Sequence, residues 1–413
     1  MNNRKLVTEV AIVFGKQKVS EEAVNCALEE AKKKNKVLGL KVALAAIIAA
    51  LNFSTLAAAA PAPAASDTDW SKTVAAAKKE GKVVIIGPTG ADVRDAHTIG
   101  FQKKYPDIQV DFSGMSGSQV APKLLAELKA NQFLTDIVVA GTTTALLSLV
   151  PAKAVVPLQP YLATPETRDT SKWKDGKLHF SDSTGKYNMF FGSRVQIAFI
   201  YNTELTPPAI MKAKIKTWKD LLNPEWKGKI AMLDPRQAGT GLDLSTYWYT
   251  NEKLGLGKDF MRKLFTTQDI FFSKQEQQIL DFVARGRYLI AIGPSGTSAF
   301  QLISKGLPLA LFGSGALQGG GYVTASNATI SVVRNAPHQN AIKVFLNYLL
   351  SQEGQTTWSK ASGLASLRTD VAKDHIPEIL VPEEGVKYQE NQLEKYQMMR
   401  DEIVDFINTV IGR

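Results

Sequence analysis

Short loops of glycine and hydroxyl residues follow several apolar segments of this sequence. Backbone N–H groups and Ser or Thr hydroxyls donate hydrogen bonds to carboxylate, phosphate or phosphonate oxygens, and glycine lets the backbone approach a ligand closely. The loops therefore predict a pocket for a small anion, although Ser and Thr also cap helices and each loop taken singly has a purely structural alternative. The loop residues that we expect to contact the ligand are Thr89, Gly90, Ser116, Gly117, Ser118, Thr142, Thr143, Gly239, Thr240, Ser295, Gly296 and Thr297.

Two arginines near these loops offer a positive charge. Arg194 begins a predicted strand, and we expect its guanidinium to pair with the charged group of the ligand. Arg236 is closer in sequence to the loop at 238–241, but its Asp-Pro-Arg context is typical of a local salt bridge. The aromatic run Tyr247–Tyr249 follows the same loop, and core packing is favoured over ligand stacking for it.

An alternation of strands and helices is expected to position the loops. Apolar strands at 82–86, 109–112 and 136–140 alternate with helical segments, an order typical of a parallel sheet covered on both faces. In such sheets ligands bind beyond the carboxyl ends of the strands. A Pro- and Lys-rich stretch interrupts the pattern before a second α/β unit. The later predicted elements are strands at 195–201, 229–233, 288–292 and 328–333 and helices at 242–254, 275–285, 338–351 and 388–410.

The chain of 413 residues is longer than one compact core usually holds. We predict an α/β protein of two lobes, with two parallel or mixed sheets and a cleft between the lobes. The predicted divisions are a leader at 1–65, lobe 1 at 66–195, lobe 2 at 196–310, a return to lobe 1 at 311–345, and C-terminal helices that pack across the lobes at 346–413.

The leader contains an apolar run of ten residues, Val42–Leu51, preceded by Lys36 and Lys41. Ten residues rise about 15 Å as a helix, which is too short for a bilayer core of about 30 Å. Small residues follow, so we predict a cleaved secretory signal with its cleavage site near Ala60–Ala65. A buried Ala-rich helix is the alternative for this run.

Composition excludes several classes of site. Cys26 is the only cysteine and precedes the signal, so the exported part has no cysteine for a disulfide, a thiolate metal site or a lipid anchor. Residues 1–65 carry nine Lys or Arg and five Asp or Glu, which leaves the rest with a net charge of +6. That modest excess favours small anions and is too weak to indicate nucleic acid. A monomer is expected.

Catalytic motifs are poorly represented. The segment Gly114–Ser118 lacks the final glycine of a nucleophile elbow, the loop Gly87–Gly90 has no Lys-Ser/Thr partner of a phosphate loop, and none of the four histidines has metal-ligand spacing. We therefore expect no catalytic residue, no metal ligand and no cofactor. A secreted hydrolase using Ser116 or Ser295 is the unfavoured alternative, and it requires a base beside the serine.

An ordered set of short motifs between about Trp70 and Asp370 resembles the periplasmic solute-binding proteins of the ferric-iron and organophosphonate type. The resemblance implies the type II periplasmic-binding-protein fold, a ligand cleft that closes about a hinge, a periplasmic location, and delivery to the membrane permease and ATPase of an ABC importer. The motifs are Glu80–Val84, Phe101–Pro106, Trp218–Leu222, Trp226–Ile230, Asn335–His338, Leu349–Gln355 and Ser366–Asp370.

The chain departs from its ferric relatives in the residues that would hold the metal. Those relatives bind iron with adjacent tyrosines in the loop that corresponds to Ser295–Ser298, where this chain has none. Thr89 and Thr142–Thr144 stand where acidic and histidine ligands are expected, and neutral hydroxyls are poor ligands for ferric iron. In the same relatives the loop matching Ala238–Thr240 holds a small anion. The ligand expected here is an anionic or zwitterionic organic solute, with a ferric chelate as the alternative.

Overall fold

The structure is a computed structural model that describes residues 67–383 and 385–412. The predicted leader, its apolar run and the cleavage site lie outside the described residues, so the secretory signal stays a prediction. Within the described ranges, no helix is both long enough and apolar enough to cross a membrane.

Strands of two to six residues form three sheets in the described part of the chain. They are β1 (Lys82–Gly87), β2 (Gln109–Gly114), β3 (Ile137–Val138), β4 (Val155–Val156), β5 (His179–Phe180), β6 (Met189–Phe190), β7 (Gly192–Val195), β8 (Phe199–Asn202), β9 (Ile230–Leu233), β10 (Phe271–Ser273), β11 (Ile290–Ile292), β12 (Leu309–Phe312), β13 (Tyr322–Thr324), β14 (Thr329–Val333), β15 (Ala365–Ser366) and β16 (Gln389–Glu390).

Helices cover these sheets, together with short 3₁₀ turns and one π-helix at Ala145–Leu149. The α-helices are α1 (Asp67–Glu80), α2 (Ala91–Lys104), α3 (Gly117–Lys129), α4 (Thr142–Thr144), α5 (Pro165–Arg168), α6 (Pro208–Lys214), α7 (Thr240–Thr250), α8 (Lys258–Thr267), α9 (Glu276–Ala284), α10 (Gly296–Ile303), α11 (Gln339–Leu349), α12 (Gln352–Ser362), α13 (Glu394–Gln397) and α14 (Arg400–Ile411).

The first lobe is built on a seven-stranded mixed sheet in the order β2-β1-β3-β14-β6-β5, with β4 also paired to β14. β1 runs parallel to β2 and β3, whereas β14 enters antiparallel to β3 after the chain has passed through the second lobe. α11 packs on α1 and α12 packs on α2. Because β1, β2 and β3 are parallel, their carboxyl ends and the loops after them share one edge of the sheet.

The second lobe contains a five-stranded sheet in the order β10-β9-β11-β8-β12. β9, β10 and β11 are parallel, and β8 is antiparallel to both of its neighbours. α14 contacts α7 and α8 through Ile403 and Ile407, which are fully buried and one helical turn apart. The aromatic residues Tyr247–Tyr249 are buried in this lobe, as the sequence indicated.

A third, four-stranded sheet in the order β15-β7-β13-β16 lies where the chain passes between the lobes. The single strand predicted at 195–201 is two strands: β7 belongs to this sheet and β8 to the second-lobe sheet. The mostly apolar run Val195–Tyr201 spans the end of β7 and most of β8, so its pattern does not reveal the change of partner. The predicted boundary at 310 falls inside β12, which pairs with β8 along its whole length.

The C-terminal region is less helical than the sequence suggested. The helix predicted at 388–410 is wrong at its start, because Gln389 and Glu390 are extended and pair with Tyr322 and Val323 of β13. Two helices, α13 and α14, follow this strand. α13 contacts α4 of the first lobe, while α14 packs on the second.

Candidate functional site

A cavity of about 240 Å³ opens where the first lobe, the second lobe and the four-stranded sheet meet. Each region contributes a short segment to its wall, and the C-terminal region contributes a fourth set of residues. The lining is the first-lobe loop Gly141–Thr143, the second-lobe residues Ala238, Gly239 and Asp243, the end of β13 and its following turn at Thr324–Ser326, and Asn391, Gln392, Gln397 and Arg400.

The first-lobe wall is the turn that follows β3. Gly141 precedes α4, which continues directly into the π-helix, a distortion that is frequent at functional sites. The Thr143 hydroxyl donates to Gln397 Oε1 at 2.6 Å, and the Thr144 hydroxyl donates to the Gly117 carbonyl at 3.3 Å. The loop after β3 therefore touches both the C-terminal segment and the loop at the start of α3.

The second-lobe wall is the beginning of α7. Gly239 precedes this helix with φ 142° and ψ −170°, a conformation that is open essentially to glycine alone. The Thr240 hydroxyl is hydrogen-bonded to the Gly293 carbonyl, so the loops after β9 and β11 are adjacent. The Thr240 hydroxyl proton is therefore used within the protein, and Thr240 does not line the cavity.

One ion pair lies in the cavity wall. Arg400 Nη1 is 2.6 Å from Asp243 Oδ1, and Asn391 Nδ2 donates to the Asp243 carbonyl at 2.7 Å. Burial raises the pKa of the Asp243 carboxyl, and the neighbouring Arg400 offsets part of that rise. The pair joins the second lobe to the C-terminal segment and adds no net charge to the cavity.

Arg194 differs from the other two arginines near the cavity, Arg236 and Arg400, because it forms no ion pair with a described residue. It stands opposite Thr324, a lining residue, in the β7–β13 ladder, but it is not itself in the lining. Its Nε atom is buried without a hydrogen-bond partner, and its Nη1 lies 3.5 Å from the Thr297 hydroxyl. No described Asp or Glu lies within ion-pair distance of it. Burial lowers the pKa of the half-buried Arg194, and the negative charge of the more distant Glu276 offsets part of that shift.

Arg236, the alternative cation, is fully engaged. Its Nε and Nη2 atoms donate to the two Asp234 oxygens at 2.8 Å each, and Nη1 donates to the Gly412 carbonyl. The structure thus contains the local salt bridge that the Asp-Pro-Arg context indicated.

The other candidate residues lie outside the cavity lining. Thr89, Gly90, Ser116, Gly117 and Ser118 are exposed, and the Ser116 hydroxyl lies 3.0 Å from that of Ser118. In the second lobe, the Ser295 hydroxyl accepts from the Thr297 backbone N–H at 3.2 Å and caps α10, and Gly296 is buried. Thr142, Thr143 and Gly239 are the candidates in the lining, and a ligand-contact role stays a prediction for all of the candidates.

Residues 100–383 match the family described as "Bacterial extracellular solute-binding protein". The match covers most of both lobes. The chain belongs to this family.

Similar proteins agree with this assignment. A Salmonella typhimurium protein named "Putative 2-aminoethylphosphonate-binding periplasmic protein" is 27% identical over 195 residues, which are 46% of this chain and 56% of the relative. The solute-binding protein spans about half the length of the curated relatives it matches.

Two solved structures share the fold at low identity. Iron-bound HitA from Pseudomonas aeruginosa is 17% identical with a TM-score of 0.60, covering 80% of this chain and 99% of its own. AfuA from Actinobacillus pleuropneumoniae, with fructose-6-phosphate bound, is 19% identical with a TM-score of 0.56 and the same coverage. The solute-binding protein has the type II periplasmic-binding-protein fold.

Sequence reasoning missed the C-terminal contribution to the site. Asn391, Gln392, Gln397 and Arg400 all lie in a segment that we predicted as one continuous helix. The sequence did contain one indication of this contribution. Several amide side chains are concentrated just after Tyr388, and an amphipathic helix has no need for them.

The two serines proposed for a hydrolase do not contact a histidine among the described residues. A serine–histidine contact exists elsewhere, where Ser359 Oγ lies 3.0 Å from His375 Nε2. Ser359 is fully buried within α12 and its hydroxyl donates to the Leu364 carbonyl at 2.6 Å. A substrate would have no access to this hydroxyl, so the pair provides no support for the hydrolase alternative.

Proposed function

We propose that the solute-binding protein is the extracytoplasmic receptor of an ABC importer and captures a small anionic or zwitterionic organic solute between its lobes. Its family, and the phosphonate named for the Salmonella relative, support this class of function and ligand. The observation that carries the ligand class is Arg194, beside the loop at Ser295–Thr297. Its Nε is buried and unpartnered, and no carboxylate of the described residues lies within ion-pair distance of its guanidinium.

Arg194 is half-buried, and Glu276 stabilises its charge only from beyond ion-pair distance, so the desolvation of the guanidinium is not fully offset. A bound anion would supply the missing partner and form charge-assisted hydrogen bonds of about 1.5–3 kcal/mol. The neighbouring donors are of the type that surrounds an anion: the Thr297 hydroxyl, the start of α10 and, across the ladder, Thr324.

We propose capture by hinge closure. The cavity wall combines residues from both lobes, so a ligand bound there makes its full set of contacts only when the lobes are close together. The hinge is then expected at the strand-to-strand passages between β7 and β8 and between β12 and β13. The closed, liganded form is what the membrane permease and its ATPase would recognise, with the receptor acting as a periplasmic monomer.

Native mass spectrometry of protein purified without refolding, with identification of any retained small molecule, tests this function. The expected result is a retained organic anion or zwitterion, and calorimetric titration with 2-aminoethylphosphonate and with inorganic phosphate then measures affinity. Parallel titrations with ferric chloride and with ferric citrate address the iron alternative. Tight binding of iron without a chelator, with no binding of any organic anion, would overturn the proposal.

A further inference from the structure

Asp243 is the one carboxylate in the described lining of the cavity, and its accessible surface faces that cavity. It lies in the first turn of α7, where all the other residues between Gly241 and Tyr249 are buried. The Asp243 side chain is 25% exposed, and the residue lines the cavity. The exposed part of this carboxylate is therefore the part that a molecule in the cavity can reach.

The Asp243 carboxylate retains capacity to accept hydrogen bonds. Arg400 Nη1 donates to its Oδ1 at 2.6 Å, whereas Oδ2 accepts from none of the described residues. An ionised carboxylate has about four lone-pair positions, so this single contact leaves most of them free. The Arg400 side chain is only 9% exposed, which makes the carboxylate the more accessible half of the ion pair.

The Thr143 hydroxyl, on the first-lobe wall of the same cavity, can also only accept. Gln397 Nε2 donates to the Asn391 carbonyl at 2.6 Å, so the opposite end of this amide, Oε1, faces Thr143. The Thr143 hydroxyl therefore gives its proton to Gln397 Oε1 and retains only lone pairs. The sequence suggested the reverse, a hydroxyl that donates to an anion.

Two acceptors from different lobes thus line one cavity, and they indicate which ligand group would bind beside them. A carboxylate or phosphonate group offers no donor to them when it is ionised, and a hydroxyl group offers one donor without charge. An ammonium group offers three donors and a positive charge, so it forms charge-assisted hydrogen bonds with a carboxylate. The ammonium group is the best match for Asp243 and Thr143.

We propose that Asp243, together with Thr143, forms a subsite for a protonated amino group of the ligand. The inference rests on the proposed anion-receptor function and narrows its substrate class to zwitterions. Arg194 binds the anionic group, and Asp243 binds the ammonium group. Because Asp243 and Thr143 belong to different lobes, an ammonium group bound to both also favours the closed form.

The test compares three phosphonates of matched size: 2-aminoethylphosphonate, 2-hydroxyethylphosphonate and propylphosphonate. They present an ammonium, a hydroxyl and a methyl group at the same position. Calorimetric titration of the wild type is expected to show an affinity for 2-aminoethylphosphonate about tenfold to a hundredfold higher than for propylphosphonate. The affinity for the hydroxyl compound should lie between these two.

Asp243→Asn keeps the shape of the side chain and removes its charge. It is expected to lower affinity for 2-aminoethylphosphonate about tenfold or more and to leave affinity for propylphosphonate unchanged. Asp259→Asn is the matched control, because Asp259 is an exposed carboxylate in the first turn of α8 and outside the lining, and it should change neither affinity. If Asp243→Asn does not fold, the double variant Asp243→Asn/Arg400→Gln, which leaves no unpaired charge, provides the same comparison.

The outcomes separate this inference from the function on which it rests. If the wild type binds propylphosphonate as tightly as 2-aminoethylphosphonate, or if Asp243→Asn weakens all three probes equally, the ammonium subsite is wrong and the anion receptor stands. If the wild type binds none of the probes, the compound retained on purification decides. A zwitterion with an amino group supports the subsite, an anion without one overturns the subsite alone, and the retention of no anion overturns both the subsite and the receptor.

Discussion

Two buried polar regions of this protein differ in how completely their groups are paired. In the first lobe, Asp136 is fully buried at the start of β3, and both of its oxygens are engaged. Oδ2 accepts from the Val84 backbone N–H at 2.7 Å and contacts His338 Nδ1 at 2.7 Å, while Oδ1 accepts from the His338 backbone N–H at 3.0 Å. We call this group the Asp136 hub.

Around the cavity, by contrast, Arg194 Nε, the Tyr322 hydroxyl and both amide atoms of Gln392 are buried without partners. The Asp136 hub holds β1 and the start of α11 together and has no capacity left for a ligand. Arg194 retains capacity for an anion, because its Nη1 contacts a hydroxyl and no carboxylate lies within ion-pair distance of it. Substitutions in the hub should therefore change stability, and substitutions around the cavity should change affinity.

The largest expected effect is that of Asp136→Ala. The substitution leaves the Val84 and His338 backbone N–H groups unpaired in the core, and breaking such a buried network costs about 3–5 kcal/mol. Urea denaturation should show this drop in the free energy of unfolding, while the folded fraction keeps its affinity for anions. A loss below about 1 kcal/mol would remove the distinction between the two regions.

His97 sharpens the comparison, because one of its ring nitrogens is unpartnered inside the first-lobe core, while Nδ1 is hydrogen-bonded to the Val93 carbonyl at 2.7 Å. Its Nε2 is buried without a partner, its ring stacks on Phe112, and burial lowers its pKa from 6.5 to about 4. Between these two values the unfolded chain binds a proton that the folded chain does not, so stability falls as pH drops from 6.5 to 4. The full shift corresponds to about 3 kcal/mol.

His97→Leu should remove this part of the pH dependence. We expect the thermal midpoint of the variant to fall less steeply than that of the wild type between pH 6.5 and pH 4, and affinity at neutral pH to stay unchanged. Identical pH profiles for the two proteins would show that His97 does not carry the effect.

The alternation of apolar strands and helices was sufficient to predict two α/β lobes, because each strand is a short apolar run followed by a turn. The same pattern predicted Thr142, Thr143 and Gly239, which lie in the cavity lining, whereas most of the other predicted loop residues do not. It could not find Gln397, whose partner Thr143 is 254 residues away. Nor could it show that β7 and β8 belong to different sheets, because hydrogen-bond partners are not encoded in the spacing of apolar residues.

Arg194→Ala tests the central claim most directly, with Arg236→Ala as its matched control. Affinity for the organic anion recovered by native mass spectrometry and the thermal midpoint should be measured together for both variants. Arg194→Ala should weaken binding about tenfold to a hundredfold with the midpoint maintained, because it removes a charge-assisted contact to the ligand and no internal ion pair. Arg236→Ala should lower the midpoint and leave affinity intact, since its guanidinium pairs with Asp234. An unchanged affinity with a lowered midpoint for Arg194→Ala would contradict the account and leave Arg194 a structural residue of the hinge.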